Sequence, residues 1–522
     1  TVTAIDVPNN TITVSAASTN VAAVATQTLA SNALNPTLSG VVGLTLHNAS
    51  VSLAGNVTGQ IDPATNVVVN GGGRLVFNSF DNMVAGTNVS QSLRSFVFNN
   101  EGGTGNPDID IGNPNDYTQG ATPNYSILVL TADNPVIATN NHLTTTPTIY
   151  GSDAGRTRLE FSAASPIITV NAGLSPVGMR LVAGITQNVG MTGPIVKNGA
   201  GTLAMGSADS VFTTGFSLLE GGLMIAASSD AAVVTRGPIG TGSLTIAGGT
   251  SLLADNAGTA RTLHNAVIVN GDFTIGGRNQ GAALTLAGNI NLGATGRTIN
   301  FASPAITTSF NGTLTSTVAA NGTGLTKSGD GILSFGATSQ LSFGGAGLIV
   351  AGGVVRSGRP DLIPADTLLS VYAGAGYDLN GNPQSLNAIT GNGFITNSSA
   401  TAATFRMNNA SNLTFDGVFA DNKAVSPTST SQLNLVKQGA GELTLTGPSS
   451  YVGTTSVDTG KLIVAGAGSL GSGAVTLSAP LDYVPTPSRW LTSSAARVPS
   501  VSSAPTASPS SPVNRTPPAW PS

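Results

Sequence analysis

The residues with chemical potential are few and scattered. The densest acidic stretch reads Gly102-Gly-Thr-Gly-Asn-Pro-Asp108-Ile-Asp110-Ile-Gly-Asn-Pro-Asn-Asp116. Alternate positions of a strand project to one side, so Asp108 and Asp110 are spaced to hold a hard cation such as Ca²⁺ through oxygen ligands. Calcium-binding solenoids, however, repeat a G-G-x-G-x-D phrase many times, and here a single copy carries an extra residue between Gly105 and Asp108. The expectation is therefore a solvated loop, with a Ca²⁺ pair as the alternative. Arg156, Arg158 and Glu160 share a face at period 2 and should form an exposed ladder of charge. His47, His142 and His264 lie far apart, with no carboxylate or serine phrase around them that resembles a triad or metal motif, and are expected to be exposed or capping residues. The G-x-S-x-G turn that presents a hydrolase serine is missing. These observations point away from catalysis and call for no cofactor.

Three lysines stand in equivalent phrases: Lys197-Asn-Gly199-Ala-Gly201-Thr-Leu203, Lys327-Ser-Gly329-Asp-Gly331-Ile-Leu333 and Lys437-Gln-Gly439-Ala-Gly441-Glu-Leu443. A cation before each Gly-x-Gly has two readings, a ladder that binds a polyanion or a marker of corner geometry. The copies lie several coils apart, and salt decouples charges beyond about 8–10 Å, which favours the corner.

The elements around these residues follow from composition and period. Of 522 residues, 66 are Gly, 28 are Pro, none is Cys and only 8% are charged, far below the roughly 25% of an ordinary soluble domain. Each K-x-G-x-G-x-L phrase leads on to a glycine-flanked apolar stretch: Leu219-Glu-Gly-Gly-Leu-Met-Ile225, Leu348-Ile-Val-Ala-Gly-Gly-Val-Val355 and Thr459-Gly-Lys-Leu-Ile-Val464. In Glu442-Leu-Thr-Leu-Thr446 the two leucines fall on one face and the polar residues on the other, the pattern of a half-buried strand. Glycine and Asn-Gly corners then interrupt the run, because a positive φ suits Gly best. No convincing 3.6-residue apolar stripe supplies a helix to cover a sheet. A short strand buries its face only by stacking on its equivalent in the next turn, which predicts an elongated all-β solenoid.

Net charge is -4 and no run of 18 apolar residues occurs, which sets aside nucleic acid as a partner and predicts no transmembrane helix. The first residues, TVTAIDVPNN, have neither a basic nor an apolar leader region, so the expectation is that any secretion signal is absent from this chain.

The K-x-G-x-G-x-L phrase, the Ser449-Ser-Tyr451-Val-Gly453-Thr-Thr455 stretch and the Gly460-Lys-Leu462 strand resemble the passenger-associated strand repeat of bacterial autotransporters and related large surface proteins. The Asp378-Leu-Asn-Gly-Asn-Pro-Gln-Ser-Leu386 segment is similar to the linking part of that repeat. The resemblance implies a right-handed parallel β-helix, secretion or display at the extracellular surface of a Gram-negative-type bacterium, and an adhesive or structural role. It divides the chain into divergent solenoid coils at 1–190, repeat-bearing coils at 191–478 and a tail at 479–522. From Pro480 onward lie ten of the 28 prolines, Trp490, Trp520 and no glycine, so the ladder is expected to stop there. The expected partner is an unidentified surface or host ligand. One alternative is a fibre built by self-association through the solenoid ends, whose strand edges are open to pairing; another is a polysaccharide-active enzyme on the same scaffold.

Overall fold

A computed structural model describes residues 43–54, 61–78, 88–103, 105–112, 125–151, 156–230, 234–256, 258–277, 280–421 and 431–485, with Gly59, and the backbone of four further strands, Val2–Asp6, Thr11–Ser15, Thr26–Leu29 and Val501–Ser502. Among the described residues every regular element is a strand, and the strands wind as a parallel β-helix. Three faces recur in a fixed order along the chain. The first is a 14-stranded sheet and then a 6-stranded one, the second a 15-stranded sheet and then a 4-stranded one, and the third a 4-stranded sheet and then an 8-stranded one. Among the described residues all pairings between strands are parallel except that of Val2–Asp6 with Thr11–Ser15, which is antiparallel, as is the isolated bridge between Ser210 and Gly237. The nineteen rungs of the second face, at about 4.8 Å each, make a rod roughly 90 Å long.

Period-2 alternation does the work the sequence assigns to it. In Leu433–Gln438 the side chains of Leu433, Leu435 and Lys437 point inward and those of Asn434, Val436 and Gln438 outward. Register then stacks like on like: Phe405 sits beside Leu435, and Leu203 lies between Met179 and Leu223. One apolar core runs continuously from Leu44 to Leu462. Aromatic side chains cluster in part of it, with ring centroids 5.5 Å apart for Phe405 and Phe419, 5.4 Å for Phe415 and Phe419, and 6.4 Å for Phe419 and Tyr451. Such spacings add dispersion and quadrupole attraction to the area buried.

The ladder runs past its expected end at 478. Leu481–Pro485 pairs in parallel with Lys461–Gly466, Pro480 accepts a hydrogen bond from the Leu462 amide at 3.1 Å, and Pro485 occupies the last position. Proline at the border of a strand leaves the pairing amides between intact, which is why proline content misplaced the boundary. Further on, the backbone of Val501–Ser502 pairs in parallel with Val475–Leu477, while Trp490, Trp520 and the other tail residues lie outside the described residues.

Candidate functional site

The three signature lysines are buried in the helix interior, each with no exposed surface. In each copy a glycine turns the chain at positive φ: Gly199 at +77°, Gly329 at +73° and Gly439 at +77°. The turn folds the backbone carbonyls of the corner back over the lysine. Lys197 Nζ donates to the carbonyls of Asn198 (2.9 Å), Gly199 (2.6 Å) and, in the next coil, Glu220 (3.0 Å). Lys327 Nζ repeats the pattern with Ser328 (3.3 Å), Gly329 (2.6 Å) and Gly352 (2.7 Å). So does Lys437 Nζ with Gln438 (2.6 Å), Gly439 (2.8 Å) and Thr459 (3.3 Å). Three acceptors match the three protons of an ammonium group. Burial pushes Lys197 and Lys327 down to about 8, opposed by Glu220 and Asp330 respectively, and pushes Lys437 down as well. Leu203, Leu333 and Leu443 continue inward on the strand after the corner, each fully buried.

A second glycine completes each corner from the coil above. Gly221, Gly353 and Gly460 have φ of +68°, +56° and +72°. A Cβ on them would meet the Gly199 carbonyl at 2.5 Å, the Gly331 carbonyl at 2.4 Å and the Gly439 carbonyl at 2.3 Å. The lysines do not share one face: Lys197 and Lys437 lie on the first face, in its 14- and 6-stranded sheets, and Lys327 lies on the second, in the 15-stranded sheet. Buried and distributed in this way they offer no ladder to a polyanion.

Asp108 and Asp110 do not lie in a solvated loop. Asp108–Asp110 is a strand of the second face, Ile109 points into the core, and Asp110 is only 5% exposed. Its neighbours in register are Arg74–Asn78 on one side and Thr148–Tyr150 on the other. Arg74 Nη2 lies 2.9 Å from Asp110 Oδ2 and 2.5 Å from the Tyr150 hydroxyl, so a guanidinium supplies the positive charge beside this carboxylate. Burial pushes Asp108 up to about 6, Arg74 pulls it down less strongly, and Asp110 adds to the rise. Asp108 Oδ1 and Arg74 Nε are buried without a hydrogen-bond partner. Asp108 and Asp110 do share one side of a strand, but no group of three or more His, Cys, Asp or Glu side chains suited to a metal ion occurs among the described residues.

Other polar groups also bond coil to coil. Glu160 accepts from Thr186 (3.0 Å) and Asn188 (2.9 Å), and the Arg158 guanidinium stands 4.9 Å from the centre of the Tyr125 ring. His142 Nδ1 lies 2.7 Å from the Thr145 hydroxyl. His264 meets a serine the sequence did not place near it: Ser229 Oγ is 3.2 Å from His264 Nδ1 and accepts the His264 amide at 2.8 Å. Ser229 is 7% exposed and a Cβ on Gly237 would come within 2.7 Å of its own Cβ, so the serine is closely packed while His264 is half-buried. Two open clefts, of about 430 and 270 Å³, lie on the outside, the first lined by Arg94, Ser95, Thr131, Asp133 and Asn134.

The third lysine corner carries the deciding match: residues 435–464 fit the family model described as Passenger-associated-transport-repeat. The chain therefore carries an autotransporter passenger repeat. Neither a curated protein nor a solved structure matches the chain. The transport repeat begins at Leu435, takes in the Lys437 corner and the Tyr451 to Thr455 stretch, and ends at Val464 beside Gly460. Its tyrosine is fully buried, with the hydroxyl 2.5 Å from Thr455 Oγ1. The Lys197 and Lys327 corners reproduce the lysine geometry of the transport repeat outside the matched residues. No helix among the described residues is long and apolar enough to cross a membrane.

Proposed function

We propose that the chain is the rigid stalk or passenger of a protein secreted to the surface of a Gram-negative-type bacterium, where it presents its outer face to a host, a substrate or neighbouring cells. The observation that carries this reading is the union of a transport repeat with a single core running from Leu44 to Leu462. A stack of short rungs has length as its chief product, and each rung is stabilised by its neighbours. We read the role as structural or adhesive and not enzymatic. Supporting this, charged groups with chemical potential tie the scaffold together: Arg74 bonds Asp110 (2.9 Å) and Arg356 bonds Asp378 (2.9 Å) across adjacent coils, Arg261 bonds Asp255 (2.7 Å) within one coil, and the three lysines bond backbone carbonyls of the neighbouring coil.

Electron microscopy of the purified chain across a range of concentrations tests the proposal. Single rods of roughly 90 Å are expected. Filaments growing with concentration would replace the stalk with a fibre subunit joined end to end, and compact particles would overturn both. Release of reducing sugar from plant or bacterial polysaccharides would overturn the non-enzymatic role.

A further inference from the structure

Each lysine corner stands at, or one coil before, a point where one face of the helix loses its strand. The 4-stranded sheet of the third face ends at Gly184–Gln187, and the next strand, Ile195–Asn198, carries Lys197. The 8-stranded sheet of that face ends at Val418–Asp421, and the next described strand, Leu433–Gln438, carries Lys437. In the middle copy the loss comes one coil later: the Lys327 strand, on the second face, is still followed by a first-face strand, Gln340–Ser342, which is the last of the 14-stranded sheet. The following coil passes from Val354–Arg356 to Leu369–Val371 with no strand on that face. In all three places pairing falls from three strands per coil to two, and in all three a lysine reaches across to a carbonyl of the neighbouring coil: Glu220, Gly352 or Thr459.

We propose that the three lysine corners are clamps that halt unravelling of the rod, dividing it into mechanical blocks bounded near residues 197, 327 and 437. In a linear stack each coil touches only its neighbours, so opening travels coil by coil from an end, and a strong local tie sets where it stops. A buried ammonium group shared between carbonyls of two coils is such a tie. Charge-assisted bonds are about twice as strong as neutral ones, and opening a coil breaks the ammonium's bond to the carbonyl across it. The clamps compensate for the missing third strand and confine a disturbance at one end of the rod to one block. This holds wherever the chain is displayed, so its failure would leave the stalk reading standing.

Pulling single molecules of the full chain from its two ends tests the clamps. Unfolding should pause at contour steps matching the stretches from 327 to 437 and from 197 to 327, roughly 400 and 450 Å at about 3.5 Å per extended residue. Lys327→Met should merge these two steps into one of roughly 850 Å. Lys461→Gln, which alters an exposed ion-pair ladder with Glu442 and Asp482, should leave them in place. Unchanged steps in Lys327→Met would overturn the proposal. Hydrogen exchange on the unmodified chain tests it without any variant: amides around 195–225, 323–355 and 433–465 should exchange at least tenfold more slowly than those of the coils between them. Uniform protection along the rod would equally overturn it.

Discussion

Substituting Gly460 by alanine, with Gly374 as its control, isolates what the second glycine of the repeat contributes. Both have a left-handed backbone, φ +72° at Gly460 and +78° at Gly374. Around Gly374 nothing lies within 4 Å of the position a Cβ would take. At Gly460 that Cβ would stand 2.3 Å from the Gly439 carbonyl, 2.5 Å from the Gly441 carbonyl and 2.7 Å from Lys437 Nζ. The left-handed conformation costs an alanine about 1–2 kcal/mol, offset by about 0.4–1 kcal/mol from the stiffer unfolded chain. Gly374→Ala should therefore lose only about 1 kcal/mol. Gly460→Ala must also displace two carbonyls by several tenths of an ångström. Overpacking of that kind costs about 1–3 kcal/mol, and detaching the Gly439 carbonyl from a buried ammonium adds about 1–3 kcal/mol. The total is about 3–7 kcal/mol, a difference of at least about 2 kcal/mol between the two variants. Because a solenoid need not unfold in one step, the assay is hydrogen exchange of peptides covering 433–466 and 369–378. Exchange around the Lys437 corner should accelerate more than a hundredfold in Gly460→Ala, against about fivefold around Gly374 in its own variant. Equal losses at the two sites would refute the steric account of the corner.

Three further outcomes follow from the buried groups. The pKa of Lys327 falls from 10.5 unfolded to about 8 folded, so above pH 8 the unfolded state binds more protons and stability gains with rising pH from this residue. Between pH 8 and 9.5, below the tyrosine range, the urea midpoint of the unmodified chain should rise relative to that of Lys327→Met; parallel profiles would refute it. The pKa of Asp108 rises from 3.8 to about 6, so the folded state holds this proton more tightly and the residue's contribution is lost as pH climbs from 4 to 6. Asp108→Asn should match the unmodified chain near pH 4 and exceed it at pH 7 in thermal unfolding; equal midpoints at pH 7 would count against it. Tyr451→Phe leaves the buried Thr455 hydroxyl without its partner and should cost about 1 kcal/mol, measured as faster exchange within 449–477, whereas an unchanged rate would show the bond to be dispensable.

How far the fold was legible depends on how local its signals are. Leucine alternation in Glu442–Leu445 and the Gly199, Gly329 and Gly439 corners rest on neighbours a few residues away, and the structure places them as that grammar requires. The burial of the lysines was less visible, since a lysine is ordinarily read as exposed. Yet the parity of Leu433, Leu435 and Lys437 already puts the lysine on the inward side of its strand. The Arg74, Asp108 and Tyr150 cluster had no local signal. Its members meet because Asp108 pairs with both Arg74 and Thr148, while further along Glu442 pairs with Lys461 after a much shorter coil. With coils of such unequal length, no fixed period predicts which side chains meet across a rung. The same limit hid Ser229 from His264, and the pairing of Leu481–Pro485 was masked by prolines that border it without interrupting it.

The faces occupied by the three lysines say what the repeated phrase encodes. If it specified a particular sheet, the copies would align along one side of the rod. Instead the first and third turn the chain from the first face to the second, and the middle copy turns it from the second face to the third. What stays constant is local: a buried ammonium group, a left-handed glycine two residues on, an inward leucine, and a second left-handed glycine from the coil above. All the lysine's acceptors come from the corner itself and from the coil it meets, so the unit can sit at any edge of the triangle. That independence explains how one phrase serves coils of two strands and of three. It also places the specificity of the rod, whatever it contacts, in the outward residues between the corners, which the phrase leaves free to vary.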